Sequence, residues 1–335
     1  MVTVRVVILL AAENGWNIYQ INVFNAFLQG DLNEDVYMEL PLGFDHQSEQ
    51  GTVCKLTKSL YGLKQANKFK IKDLGGLRYF LGIEFARSEA EILMHQRKYC
   101  LELVADMGLF NSKPVRAPIA LNQKLTISEF DSYFPPVGNT DKFLKDPTRY
   151  QKLVGRLLYL TLTRTDIAFV VQLLSQFMHK PKISHMEATM RMVKYVKHSP
   201  GLGILMTSKG AKQLRAFCDA DGASCPNTRQ SITGYFVFYG DSLVFWKLKK
   251  QNNISKSSTE AEYRSLAFTV AEIIQLGLVQ PTYLHTSEQP ADLLTKGLKI
   301  VQHTYLLTKL GMKNVFHTPR LREDVKRLVK CTVVH

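Results

Sequence analysis

The stretch Gln213-Leu214-Arg215-Ala216-Phe217-Cys218-Asp219 alternates between two faces, with Leu214, Ala216 and Cys218 on one and Arg215, Phe217 and Asp219 on the other. A period of two marks a β-strand, and this strand ends on an acid. Ser231–Phe238 and Leu243–Lys247 read as the next two antiparallel strands. Ser257 then opens a capping box with Glu260, and Thr259 repeats the spacing with Glu262, so a helix starts here. Leu266, Val270, Ile273, Ile274 and Gly277 share one face of that helix. Glu262 lies one turn before Leu266 on the same face, which aims it at the sheet. An inward carboxylate beside a strand-end aspartate is an unusual thing to bury without a cation. A short strand and a helix complete the run to residue 312, and the class this order gives is α+β.

Upstream, Tyr150–Leu162 and Asp166–Met178 read as helices separated by Thr163-Arg164-Thr165, and His185–Lys197 as a third that ends before Pro200-Gly201. Residues 120–146 are polar and broken by Pro135-Pro136 and Gly138, which predicts a surface linker. Leu77–Ala86 reads as one strand and Ala90–Met94 as its hairpin partner. Gln96–Met107 reads as an amphipathic helix burying Leu101, Val104 and Ala105 and stopped by Gly108. Gly75-Gly76 reads as a turn. Nearer the start, strands are expected around Asn14–Phe24 and Val36–Glu39, and a helix opens at Ser59–Ala66. The run Val6–Ala12 is too short to span a bilayer and predicts a buried helix; no other segment suggests a membrane span.

The chain has 335 residues, room for two or three domains, and 45% hydrophobic against 21% charged residues places it with globular rather than disordered proteins. A formal net charge of +14 favours a polyanionic partner, nucleic acid first. Cys54, Cys100, Cys218, Cys225 and Cys331 are scattered and odd in number, with no Cys-x-x-Cys pair, which argues against a disulfide framework or zinc site. That pattern fits a reducing, intracellular setting, cytoplasmic or nuclear.

Several stretches in fixed order carry a resemblance. They include Asn25–Leu32, Val36-Tyr37-Met38-Glu39, Leu60–Ala66, Lys72-Asp73-Leu74-Gly75 and Tyr79–Glu84. Further on come Thr163-Arg164 with Asp166-Ile167-Ala168, Ser175–Met178, Asp219-Ala220-Asp221, Gly234-Tyr235, Trp246-Lys247, Ser257–Tyr263 and Gln289-Pro290-Ala291-Asp292. Together they resemble the Pol polyprotein of copia-type retrotransposons. The resemblance implies a reverse-transcriptase part over 1–120, built from palm and fingers, then a linker and helical connection over 121–205. A ribonuclease H-like mixed sheet with helices over 213–312 and a basic tail over 313–335 follow. It implies magnesium as cofactor and an RNA–DNA hybrid or other nucleic acid as partner. Asp219, Glu262 and Asp292 match the ribonuclease's metal-binding catalytic acids, with Asp221 a competitor for Asp219. Lys64 and Gln65, with Tyr61, match a template-contacting segment. Each acid also has an ordinary alternative: Asp219 as a turn residue, Glu262 as a cap, Asp292 as a helix-start charge.

The departures matter as much. Asn22 stands where the family has a catalytic aspartate, and a neutral carbonyl oxygen is a poor substitute for an anion on a hard dication. Asp31, near Asn22, reads as a turn residue rather than a replacement. Asn67-Lys68 runs straight into Phe69, where the family continues through a long palm segment, and no Asp-Asp dipeptide occurs. Palm strands on either side of this junction are expected to lose their neighbours. A second gap, between Val279 and Pro281, removes a central strand and one metal-ligand aspartate; Thr282–His285 is expected to move beside Gln213–Asp219 and fill the slot. Gly222 replaces a family tryptophan. His179 and His185 are further conceivable chelators, without metal-site spacing. The departures predict neither polymerase nor nuclease activity, and the rival expectation is a non-catalytic basic nucleic-acid binder.

Overall fold

The computed structural model describes residues 1–24, 31–39, 53–58, 70–134, 141–273 and 282–317. They fall into two compact units, Asn17–Leu77 and a larger one joining Met1–Trp16 to the chain from Arg78 onward. Helices and sheets are mixed, and every strand pair among the described residues is antiparallel, as the α+β class expects.

The smaller unit holds β1 (Tyr19–Phe24), β2 (Asp31–Glu39), β3 (Val53–Lys58) and β4 (Lys70–Gly76). The strands flanking the junction near residues 67–69 are not left without neighbours. β1 pairs with β4, with Asn22 opposite Lys72, because the aromatic and β-branched residues of β1 favour pairing with whatever extended segment is available. Gly75 and Gly76 end β4 rather than forming a separate turn, and Gly75 takes a φ of 78°. β2 begins at Asp31, well before Val36, so Asp31 opens a strand paired to Lys58 rather than sitting in a turn. The expected helix at Ser59–Ala66, with Lys64 and Gln65, lies outside the described residues.

In the larger unit, α1 (Val2–Glu13) is the expected buried helix and hides Ile8, Leu9, Ala11 and Ala12. A five-stranded sheet runs in the order β12 (Met312–Asn314), β8 (Leu202–Thr207), β7 (Glu91–His95), β6 (Ile83–Arg87), β5 (Tyr79–Phe80). The single strand expected over Leu77–Ala86 is instead a tight hairpin. Leu81 (φ 47°) and Gly82 (φ 69°) make the two-residue turn whose positive φ values match strand twist. β8 was not expected. It is fully buried and mostly apolar, so it lacks the alternation that marks a half-exposed strand. A Cβ on Gly203 would lie 2.1 Å from the Met94 carbonyl oxygen, so β7 and β8 approach here only because residue 203 is glycine.

Beside this sheet packs a helical core of α2 (Arg97–Asp106), α4 (Thr148–Leu160), α5 (Ala168–Ser175) and α6 (Ile183–His198). Tyr150, Leu153, Val154, Leu157 and Leu160 recur every three or four residues along α4 and are all buried. The buried face of α2 is Cys100, Leu103 and Val104; Leu101 and Ala105 are exposed, a correction to the expected stripe. The segment read as a surface linker contains α3 (Ser128–Tyr133), whose Asp131 pairs with the buried Lys182 ammonium. His185 does not serve as a ligand. Its Nδ1 accepts the Lys182 N–H at the start of α6, and its ring stacks on Phe177 at 3.9 Å.

The junction between α4 and α5 is the most densely bonded part of the chain. Arg164 donates Nε to Asp166 Oδ1 at 2.9 Å and Nη2 to Oδ2 at 2.8 Å, and both side chains are buried. A third guanidinium bond reaches the Ser199 carbonyl at 3.0 Å, and the Tyr195 hydroxyl donates to Asp166 at 2.6 Å. His303, on α8 (Ile300–Lys309), sits edge-on to Tyr195. Burial alone would raise the Asp166 carboxyl, but Arg164 together with the Tyr195 hydroxyl outweighs it and holds it below the usual carboxylate range. Thr163 donates to Gln96 at the head of α2. Arg5 of α1 donates to the Leu162 carbonyl at 2.9 Å while its guanidinium lies 3.7 Å over the Trp246 ring.

A three-stranded sheet, β11 (Ser242–Lys250), β10 (Ile232–Tyr239), β9 (Leu214–Ala220), completes the unit with α7 (Ser258–Ile273). Ser242 links it to the first sheet: its hydroxyl donates to the Thr207 carbonyl and accepts the Thr207 N–H at 2.9 Å. Thr282–His285 forms no strand, and among the described residues nothing pairs with the outer side of β9. The expected repair of the missing central strand does not occur.

Two outcomes follow for stability. Asp166→Asn leaves the Arg164 cation buried without its counter-charge and is expected to lower unfolding free energy by roughly 3 kcal/mol or more, read by denaturant titration. Burial also lowers His95 and His185 to about 4, from an ordinary value near 6.5. The unfolded chain therefore takes up protons first. Stability is full above pH 6.5 or so and falls as pH drops towards about 4; a flat denaturation midpoint across that window would contradict this.

Candidate functional site

The site is built on the outer strand β9 and begins with a glycine. Asp219 lies opposite Gly234 on β10. Because Gly234 has no Cβ, the 3-10 turn Pro290–Leu294 lies flat on the sheet there; an added Cβ would stand 2.5 Å from Leu294 Cβ. That approach delivers Asp292, Thr295 and Lys296 to Asp219. The Thr295 hydroxyl donates to the Asp219 carboxylate. Lys296 Nζ lies 2.9 Å from Asp292 Oδ1 and 3.3 Å from Asp219 Oδ2. Both carboxylates are almost fully buried. Burial raises the Asp292 carboxyl, the Lys296 hydrogen bond opposes this, and Asp219 adds to it. The Lys296 ammonium is raised: burial works against its charge, but its bonds to both carboxylates win.

Glu262 lines the same cleft, a space of about 470 Å³ bordered also by Cys218, Tyr263, Leu266 and Tyr283. It is exposed and does not join the pair. The buried face of α7 is Ala261, Ser265 and Thr269, with Ser265 donating to the Asp219 carbonyl. The Glu262–Leu266 face, expected to press on the sheet, instead borders the cleft beside the unpaired edge of β9. Ser257 and Glu260 do cap α7: Ser257 accepts the Glu260 N–H, and Glu260 accepts the Lys256 N–H. Asp221 is not a site residue. Its carboxylate accepts the Ile232 N–H at 2.6 Å and the Ser224 hydroxyl, which fixes the loop after β9. Gly222 has only the Ser258 Cβ within reach, at 3.7 Å.

Among the described residues, no group of three or more His, Cys, Asp or Glu side chains stands close enough to hold a metal ion. The residues therefore do not fit the magnesium pair that the sequence implies: two carboxylates converge, and an ammonium stands between them. Lys296 is a site residue that the sequence reading does not single out. Its spacing of four from Asp292, one helical turn, was the available signal. Gln289 was also missed; its Nε2 donates to the Cys218 carbonyl at 3.0 Å and covers part of the exposed β9 edge.

The family model for reverse transcriptase (RNA-dependent DNA polymerase) matches residues 1–68. The retrovirus-related Pol polyprotein from transposon RE1 of Arabidopsis thaliana is 34% identical over 81% of this chain, which spans 22% of that polyprotein. The corresponding polyprotein from transposon TNT 1-94 of Nicotiana tabacum is 28% identical over 89% of the chain and 28% of its own length. An uncharacterized mitochondrial protein of Arabidopsis thaliana is 36% identical over 62% of the chain and 82% of its own length. No solved structure is a significant match. The chain belongs to the copia-type retrotransposon Pol family, and it spans about a fifth of the length of the Arabidopsis Pol polyproteins it matches. Among the described residues no helix is long and apolar enough to cross a membrane.

Gly234→Ala tests how the site is assembled. The new methyl must push the Pro290–Leu294 turn off β10, with a loss of roughly 1 to 3 kcal/mol. Amide exchange over residues 290–296 is expected to rise more than exchange in α4.

Proposed function

We propose that this chain is a decayed, internally deleted copia-type Pol segment that performs neither reaction of its ancestors, RNA-directed DNA synthesis or cleavage of RNA–DNA hybrids. The observation that carries this is the cleft itself. Asp219 and Asp292 are occupied by Lys296, and Glu262, the third expected acid, stands apart and exposed. Two-metal hydrolysis needs carboxylates free to clamp both ions. On the polymerase side, Asn22 offers no anion and sits opposite a lysine in the β1–β4 ladder. Under this reading, β9–β11 with α7 descends from the ribonuclease H sheet with its central strand missing, and Asn17–Leu77 is the palm and fingers remnant.

A second reading, non-catalytic nucleic-acid binding, is favoured by a different cleft. Lys249, Lys250 and Arg264 line a space of about 340 Å³ with Asn252, Asn253 and Phe268. Lys247 and Lys249 both lie over the Phe268 ring, at 5.2 and 4.8 Å. With a net charge of +14, this face suits a phosphate backbone running past an aromatic ring.

Incubation of a labelled RNA–DNA hybrid with magnesium and the purified, folded chain is expected to give no cleavage, with Glu262→Gln indistinguishable from the unaltered protein. Cleavage lost in that variant would refute inactivity. In the same samples, hybrid binding by fluorescence anisotropy is expected to weaken roughly tenfold or more from about 50 to 200 mM salt and to ignore magnesium. Lys249→Glu should weaken it further.

A further inference from the structure

The two buried carboxylates of the cleft raise a question that loss of catalysis does not answer. Asp219 and Asp292 face one another from different elements, a strand end and a 3-10 turn, and both are nearly buried. Like charges held this close in a poorly solvated site repel, and such pairs are held together by a cation. In a metal nuclease the cation is divalent. Here the geometry supplies another. Lys296 lies four residues beyond Asp292, just past the turn that carries the aspartate and is pinned to the sheet over Gly234. Its ammonium reaches Asp292 at 2.9 Å and Asp219 at 3.3 and 3.4 Å. The Thr295 hydroxyl takes up a further position on Asp219. A divalent ion seated between the pair would have to displace the ammonium, and among the described residues no third carboxylate stands close enough to help it.

We infer that Lys296 is the resident counter-cation of the Asp219–Asp292 pair, taking the structural place of a divalent ion and making the folded cleft independent of magnesium. This deepens the inactive reading above and rests on it. Several features agree. The side chain is more than half buried, as a structural cation would be and a solvated surface lysine would not. The ammonium is held in its charged form by both carboxylates. The lysine follows the Asp292 turn by two residues and its N–H bonds the Asp292 carbonyl at 3.0 Å, so the charge and its partner arrive together when that turn docks on β10.

The test is thermal unfolding of the full chain, without nucleic acid, in EDTA and in about 10 mM magnesium chloride. The unaltered protein is expected to melt at the same temperature in both. Lys296→Met and Lys296→Gln leave the carboxylate pair without a cation; each should melt lower in EDTA and regain about 3 °C or more with magnesium. Lys296→Arg, which keeps the charge, should remain indifferent to magnesium. The double variant Asp292→Asn with Lys296→Met should lose the magnesium response. The inference is overturned if the unaltered protein gains as much from magnesium as Lys296→Met does. It is equally overturned if both neutral variants are folded yet indifferent to magnesium, or stay unfolded in its presence. Failure of the inactive reading looks different: hybrid cleavage would overturn that reading even if the free protein's melting ignored magnesium, and a magnesium-stabilised protein that cleaves nothing would overturn only the role given to Lys296.

Discussion

One short segment, Leu162 to Asp166, ties together helices that are distant in sequence. Its backbone accepts a bond from Arg5 of α1, its Thr163 bonds Gln96 at the head of α2, and its Arg164–Asp166 pair reaches Tyr195 and Ser199 at the end of α6. Three helices distant in sequence therefore meet on five consecutive residues. A buried ion pair of this kind adds little net stability compared with apolar packing, but it tolerates few alternatives. Each charge must find its partner in one geometry, and the helices that supply the partners are fixed with it. Arg5 follows the same logic by other means: its two terminal nitrogens donate to the Val244 and Leu162 carbonyls and the guanidinium lies against an indole face, while its buried Nε has no partner, and burial lowers its pKa to about 10.

The cleft at β9 depends on that frame only indirectly and shows how a strand edge is covered without another strand. The edge is not rebuilt by the next available segment. It is dressed instead by side chains: Gln289 covers one carbonyl, Ser265 another, and Lys296 neutralises the acids at the strand end. Side-chain bonds of this kind require no new register, whereas moving a distant loop into a ladder demands matching length, twist and alternation.

Much of the secondary structure was legible. Helices α1, α4, α5 and α6 and strands β9 to β11 follow from periodicity and capping, which are local. What local pattern could not give was direction and partnership. The apolar stripe of α2 was placed on Leu101 and Ala105, yet Leu103 and Cys100 are the buried residues, because the neighbours that select a face belong to α4 and α6. β8 escaped notice because a strand buried on both faces has no alternation to read. Glu262, expected to face the sheet, is exposed: among the described residues no strand lies opposite, and that face of α7 borders an open cleft. Thr163-Arg164-Thr165 read as a separator between helices because nothing in the sequence says that an arginine will be buried.

By itself the sequence determined the α+β class, the order of most elements, the family through its spaced motifs, and the substitution at Asn22. It also placed Asp219 at a strand end and Asp292 in a turn, since both positions are local facts. Only the tertiary structure decided that β1 pairs with β4 across the junction, that Thr282–His285 leaves the slot beside β9 unfilled, and that Lys296 rather than Glu262 meets the two aspartates. Those outcomes turn on which groups come within a few ångströms after packing. Electrostatic partnership is set by that distance and by the exclusion of water, neither of which is written in residue order.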